Sequence, residues 1–190
     1  MTIKKNYYYL MVDSAQNFDL DQIKVKNKFI IIMTILDNYS DKKIRLFRNK
    51  CRTKKIKFFV KNDLKSVIKY KADGIYISAY NKSLRFCRLN HLKIDIIGSA
   101  HNLKELIIKI RQNCTKIVFS RIFKTDYKFK NTYLGLVRFN LFSRLINKKL
   151  IPLGGIRENN LRLVRLSNSE GFCLLSEIKK KPAKIINRLF

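Results

Sequence analysis

The sequence predicts an α/β chain folded as a small (β/α)8 TIM barrel, one domain over residues 1–190. Three observations predict it. Eight short apolar runs recur along the chain, each dense in Ile, Val, Phe and Tyr. Longer basic stretches with apolar residues three and four apart separate them. Polar, charged or glycine residues fall at or near the ends of most runs. Near-continuous apolar runs fit strands buried on both faces, the mark of a parallel sheet. Alternation repeated eight times closes such a sheet into a barrel.

The runs, in order, are YYYLMVD (7–13), FIIIMTIL (29–36), KFFVKND (57–63), GIYISA (74–79), DIIGSA (95–100), KIVFSRIF (116–123), LIPLGGI (150–156) and GFCLLS (171–176). The first is followed by a segment, 18–27, with the least marked helical pattern. After the third, Asp63 stands where a helix cap is needed before LKSVIKY. After the fifth, Asn102 and Glu105 make a capping box for LKELIIKI. Spacing there predicts one buried face of Leu103, Leu106, Ile107 and Ile110, with Lys104 and Lys109 turned outward. NLRLVRL repeats the pattern through Leu161 and Val164. IKKKPAKIINRLF reads as a terminal helix.

A chain of 190 residues with 46% hydrophobic content buries a full core, which excludes a disordered chain. Two prolines and six glycines exclude fibrous repeats and long linkers. The net charge of +29 admits two readings. One is a polyanionic partner; the other, which the even spread of Lys, Ile and Asn favours, is genome composition. Either way the surface favours anionic substrates and weak, non-specific nucleic-acid binding at low salt. Cys51, Cys87, Cys114 and Cys173 lack zinc or disulfide spacing, so free thiols in a reducing cytoplasm are expected. Neither a signal peptide nor a membrane span is expected.

Barrel chemistry sits at the carboxyl ends of the strands. That directs attention to Asn62 and Asp63, Ser78, Ser99 to His101, Arg121 to Lys128, Gly154 and Gly155, and Ser176. Asp63 serves equally as a hard-cation ligand or a helix cap. His101, a lone histidine, reads as a loop residue rather than a catalyst. His91 falls before the fifth strand, at the opposite end.

The stretches ADGIYIS, IIGSAHNLKEL, KIVFSRIFKTDYK, IPLGGI and EGFCLLSEI together resemble the thiamine phosphate synthase/TenI family across residues 57–178. The resemblance implies a synthase that joins hydroxymethylpyrimidine diphosphate to thiazole phosphate, releasing diphosphate with Mg²⁺. It implies diphosphate contact by Asn62, a metal ligand in Asp63, and a pyrimidine-side serine in Ser99. It assigns thiazole-phosphate contacts to Thr125 and Lys128, with Lys128 stabilising the departing diphosphate. Arg121 stands at the tip of the sixth strand. Gly154, Gly155, Leu175 and Ser176 resemble the phosphate-binding loops after strands seven and eight.

Departures from the family pattern fall on one half of the site. The basic cluster ending the second strand is replaced by IIMTILDNYS, and the second metal acid by Asn81. Arg45, Arg48 and Lys61 are the candidates to replace the lost diphosphate grip. A TenI-like tautomerase would need neither grip nor metal, yet Arg121 stands where its acid–base histidine lies, and arginine exchanges no protons near neutrality. Three functions follow: a divergent Mg²⁺-dependent synthase, a metal-independent thiazole phosphate binder or tautomerase, and a non-catalytic phosphate- or nucleic-acid-binding barrel.

Overall fold

The computed structural model describes residues 5–13, 15, 18–24, 27–36, 40–92, 94–126 and 132–189. Eight parallel strands close in sequence order: β1 (Tyr7–Val12), β2 (Phe29–Met33), β3 (Lys57–Lys61), β4 (Gly74–Ile77), β5 (Asp95–Ala100), β6 (Lys116–Ser120), β7 (Lys149–Leu153) and β8 (Gly171–Leu174). Each sits in one of the eight apolar runs. Most stop two or three residues short of the run's end, because the last residues turn into the loops at the barrel mouth.

Among the described residues seven helices surround the barrel: α1 (Asp41–Thr53), α2 (Leu64–Lys69), α3 (Leu103–Arg111), α4 (Leu136–Leu145), α5 (Leu161–Arg165), α6 (Ser176–Lys180) and α7 (Pro182–Asn187). The connections after β1 and β4 carry 3-10 segments instead, Leu20–Gln22 and Leu84–Leu92. The described residues of the 18–27 segment therefore supply one tight turn, not a helix. The second unit is a standard one, with α1 following β2. The terminal helix breaks into α6 and α7 at Pro182, which sits at a helix start where its missing N–H costs nothing.

Strand alternation divides the core in two. The barrel interior holds Tyr9, Met11, Ile30, Ile32, Phe59, Tyr76, Ile97, Val118, Ile151 and Cys173. The opposite strand faces meet the helices in a larger layer that includes Leu10, Ile31, Phe58, Ile75, Ile96, Ile117 and Phe172. Close approach of neighbouring strands dictates glycine at the start of β4 and of β8. A Cβ on Gly74 would lie 2.2 Å from the Phe59 ring, and one on Gly171 would lie 1.9 Å from the Tyr7 carbonyl oxygen and 3.2 Å from the Tyr9 ring.

The amino-terminal end of the barrel is closed by charge pairs. Glu170 receives Lys116 at 2.8 Å, Lys149 at 3.0 Å and the Tyr9 hydroxyl at 2.7 Å, while Lys57 meets Asp95 at 3.1 Å. That plug leaves the carboxyl-terminal mouth as the open end.

The expected face of α3 is corrected. Leu106 is buried, but Leu103 and Ile107 are 56% and 49% exposed, and Lys109 is wholly buried. Its stem crosses the face of β5 above Gly98, where a Cβ would approach Lys109 Cδ to 2.9 Å. Its ammonium donates to the Ser78 and Asn81 carbonyls, both at 2.7 Å, and to Gln112 Oε1 at 2.9 Å.

Candidate functional site

The strand tips separate into two unlike halves. Over β5 to β8 lies a cavity of about 1370 Å³, lined in part by His101, Ser120, Arg121, Thr125, Gly154, Gly155, Leu175 and Ser176. Lys104, Arg138, Arg157 and Lys180 add positive charge to its wall. Over β1 to β4 the tips are instead tied to one another by side-chain hydrogen bonds.

On the cavity side, the loop after β6 and the loop after β7 are built against each other. Ile122 N–H donates to the Leu153 carbonyl at 3.0 Å, and Phe123 N–H to that of Gly154 at 3.0 Å. Gly154 and Gly155 both have positive φ, +97° and +67°. A Cβ on Gly155 would stand 2.4 Å from the Lys124 carbonyl oxygen. Glycine is required here by the approach of the neighbouring loop, and that same absence of side chains exposes the turn to the cavity. Asp126 joins Arg157 in an ion pair, with Lys180 at 3.7 Å, which ties the β6 loop to β7 and α6. The hydrogen bond from Arg157 holds the Asp126 carboxyl below its ordinary range.

Thr125 stands at the centre of this arrangement. Its Oγ1 is buried and has no hydrogen-bond partner among the described residues. An unsatisfied buried hydroxyl costs about 1–3 kcal/mol, which a bound acceptor would recover. Lys128, singled out in the same FKTDYK stretch, lies outside the described residues. Leu175 faces the barrel interior just past β8, and Ser176 opens α6.

A polar pair crosses two strand tips in the same cavity. His101 Nδ1 lies 2.5 Å from Ser120 Oγ, with the Tyr80 ring 6.3 Å from the imidazole. The capping box that follows is shared differently from the sequence expectation. Asn102 caps Glu105 N–H at 2.9 Å, but Glu105 reaches back to the N–H of His101, at 2.7 Å.

Asn62, Asp63 and Ser99 do not line this cavity. Asn62 adopts φ +56° and knits β3 to β4, donating to Ser78 Oγ at 2.8 Å and accepting from Ser78 N–H at 2.9 Å. Asp63 spends both oxygens on the start of α2, accepting from Lys65 N–H at 2.9 Å and Ser66 Oγ at 2.6 Å. Burial raises its pKa, but these bonds outweigh burial and hold the carboxyl below its ordinary value. Ser99, 5% exposed, is buried beneath the mouth.

These residues do not fit a protein-held Mg²⁺. Asp63 is one carboxylate already engaged as a cap, and Asn81 is neutral. Among the described residues no group of three or more His, Cys, Asp or Glu side chains converges on a point.

The replacement candidates for the diphosphate grip are also resolved. Arg48 is buried at the far end of the barrel, donating to the Lys71 carbonyl at 2.9 Å and to Asp73 at 3.0 Å. Arg45 lies over the Tyr70 ring on exposed α1. Lys61 alone is at the mouth, close enough to Asp13 to lower its pKa. Asp13 is not among the site residues that the sequence predicts. It closes the first run, bonds Thr34 and pairs with Lys179, so it pins the tips of β1 and β2 to α6.

Comparison with known proteins was made against this geometry. The family model described as thiamine monophosphate synthase matches residues 20–178. The thiamine-phosphate synthase of Prochlorococcus marinus (strain AS9601) is 24% identical over 182 residues, covering 93% of this chain and 52% of that protein. The thiamine-phosphate synthase of Geobacillus thermodenitrificans is 28% identical over 142 residues, covering 73% of this chain and 63% of that protein. The chain thus spans about half to three-fifths of the length of these two relatives. Among solved structures, the thiamine phosphate pyrophosphorylase from Pyrococcus furiosus superposes with a TM-score of 0.74 at 16% identity, covering 98% of both chains. The YdjI aldolase from Escherichia coli K12 superposes at 0.67 with 9% identity, covering 98% of this chain and 86% of its own, which reflects the fold alone.

Proposed function

The chain belongs to the thiamine monophosphate synthase family, and from that premise we propose that it serves thiamine biosynthesis by holding thiazole phosphate in the cavity over β5 to β8. The observation that carries this is the buried, unpartnered Thr125 hydroxyl beside Gly154, Gly155 and Ser176. A phosphate oxygen there would satisfy the hydroxyl, and the surrounding Lys and Arg side chains would neutralise its charge. Joining the bound thiazole phosphate to hydroxymethylpyrimidine diphosphate, with release of diphosphate, is the synthase form of the reading. Mg²⁺ belongs to that form, and because the residues present do not fit it, no step is routed through it. Under this reading Arg121 and Lys128 meet the phosphate-bearing ligand, while Asn62 and Asp63 act by shaping the mouth.

A second reading, a metal-independent tautomerase acting on thiazole carboxylate phosphate, is supported by the engagement of Asp63 as a cap together with the His101–Ser120 pair. Both readings place the protein in the cytoplasm, in keeping with four free cysteines, three of them buried. Among the described residues no helix is long and apolar enough to cross a membrane.

Calorimetric titration of thiazole phosphate at moderate salt tests the site. We expect saturable binding that weakens at least about tenfold in Thr125→Val, since a hydrogen bond to a charged group contributes about 1.5–3 kcal/mol. The same substitution should leave thermal stability equal or higher, because it removes an unpaired group. Lys128→Ala should weaken binding further. No binding by the folded wild-type chain would overturn the proposal.

A further inference from the structure

The outer surface of the barrel is unevenly apolar. Seven of the thirteen large apolar side chains exposed among the described residues fall on or just past three consecutive helices, α3, α4 and α5. By contrast, α1 and α2 expose one each, Leu46 and Ile68, and α6 and α7 expose none.

The centre of this patch is a stripe on α4. Val137, Leu141 and Leu145 recur every fourth residue and are 73%, 58% and 83% exposed. They stand along about 12 Å of one helix face. The helix cannot turn to hide them, because its other face is committed. Phe139 is buried, and the Phe142 ring lies 5.4 Å from that of Phe119. Asn140 donates to the Leu166 carbonyl at 3.2 Å and accepts from Asn168 N–H at 2.6 Å. These bonds also set Leu166, with Leu163 shortly before it, beside the stripe. On the other flank stand Leu103 and Ile107 of α3, the helix that shares the cavity wall with α4.

Charge around the stripe has one sign. Between Asp126 and Glu158 the sequence holds no acidic residue. Lys104, Arg111, Arg138, Arg144 and Arg162 are exposed, and none forms an ion pair among the described residues. The acids of α3 and of the turn before α5 are engaged, Glu105 by His101 N–H and Asn102, and Glu158 by Lys184 and Arg188.

A contiguous exposed apolar patch with a polar rim marks a docking site, and the charge selects the occupant. A second copy would bring two arginine rims together, on chains that each carry +29, which disfavours it. The face is the convex outside of a closed barrel. A protein partner would need a matching groove, whereas a lipid surface deforms to fit. A basic, amphipathic helix face of this kind suits the boundary between headgroups and acyl chains. We propose that the α3–α5 face docks on an anionic membrane surface. Val137, Leu141 and Leu145 enter that boundary, and the surrounding Lys and Arg meet lipid phosphates. With ten residues, α4 lies in the interface and does not cross it. Docking of this kind turns the cavity wall at Lys104 and Arg138 toward the headgroup layer, whichever ligand the cavity holds.

Co-sedimentation with vesicles at about 0.15 M salt, where exposed charges more than about 8 Å apart are largely screened, tests the proposal. The full chain should bind vesicles of mixed phosphatidylglycerol and phosphatidylcholine, and bind pure phosphatidylcholine at least about tenfold more weakly. Leu141→Ser combined with Leu145→Ser keeps the charge and should weaken binding at least about tenfold. Leu46→Ser combined with Ile68→Ser should change it less than about twofold. Arg144→Gln combined with Arg162→Gln should weaken it at least about fivefold. The chain contains no tryptophan, so Leu141→Trp adds a single reporter. Its emission should shift to the blue on vesicles and be quenched by brominated lipid, while that of Leu46→Trp should do neither. This optical pair decides the matter even where the serine variants melt early. Binding indifferent to the α4 serines, or an unshifted Leu141→Trp, would mean plain electrostatic adsorption and overturn the proposal. Absence of vesicle binding would overturn it as well, with sedimentation equilibrium then separating a dimer that buries the face from a monomer that awaits an acidic protein.

Discussion

Three donors meet one carboxylate at Glu170: Lys116, Lys149 and the Tyr9 hydroxyl. Burial alone would raise its pKa, but the hydrogen bonds outweigh burial and the net shift is downward from 4.5. A carboxyl whose folded pKa is depressed stabilises the fold fully above its unfolded pKa. That stabilisation disappears as pH falls through the lower, folded value. Glu170→Gln should therefore cost about 3 kcal/mol near neutrality, because it leaves two lysines without their partner. The difference from wild type should shrink in acid, so thermal melts from about pH 6 to about pH 3 should converge. Parallel melts across that range would show the carboxylate to be unimportant. At this same scale the sequence was only partly informative. Asp63 was legible as a cap, since Asp before a helical pattern has a local cause. His101 was not legible as part of a pair, because Ser120 lies nineteen residues away and only strand neighbourhood joins them.

Among the elements, strands were read more truly than helices. Two-sided burial makes a barrel strand apolar at every position, so the eight runs needed no phase to be recognised. A helix depends on phase, and in α3 the long stem of Lys109 took an inward position that periodicity assigns to solvent. Gly98 gives that stem its room, and the ammonium fastens α3 to the loop after β4. Burial pushes the Lys109 ammonium down to about 8, while three acceptors engage its protons. Lys109→Met fills the same groove but leaves Gln112 Oε1 without its donor and the Ser78 and Asn81 carbonyls with one donor each. It should lower stability by about 3 kcal/mol by urea unfolding, more than a surface lysine would. Unchanged stability would mean that water replaces the clamp. Since Asn81 in that loop also donates to Asn62 Oδ1 past the end of β3, the β4 tip should loosen with it.

The whole barrel was legible because eight repeats of one pattern leave few alternatives, whereas the asymmetry of its mouth was not. That asymmetry arises from which tips are tied by side chains, and the ties run between distant residues such as Asp13 and Lys179. Closure of the ring has a further consequence. The seam between β1 and β8 pairs Tyr7 with Gly171 and Tyr9 with Cys173, and nearby the buried Lys5 ammonium donates to the carbonyls of Ser167 and Ser169. Every other strand pair joins sequence neighbours; this one must bring together opposite ends of the described chain. Contacts of such separation are expected to form after the folding transition state, since their ordering entropy comes due before they repay it. Gly171→Ala, whose added carbon would collide with Tyr7, should then accelerate unfolding while leaving the refolding rate nearly unchanged. Stopped-flow chevrons decide the matter: a slowed refolding limb would place the seam in the nucleus, and an unslowed one would make it the latch that sets how long the folded barrel lasts.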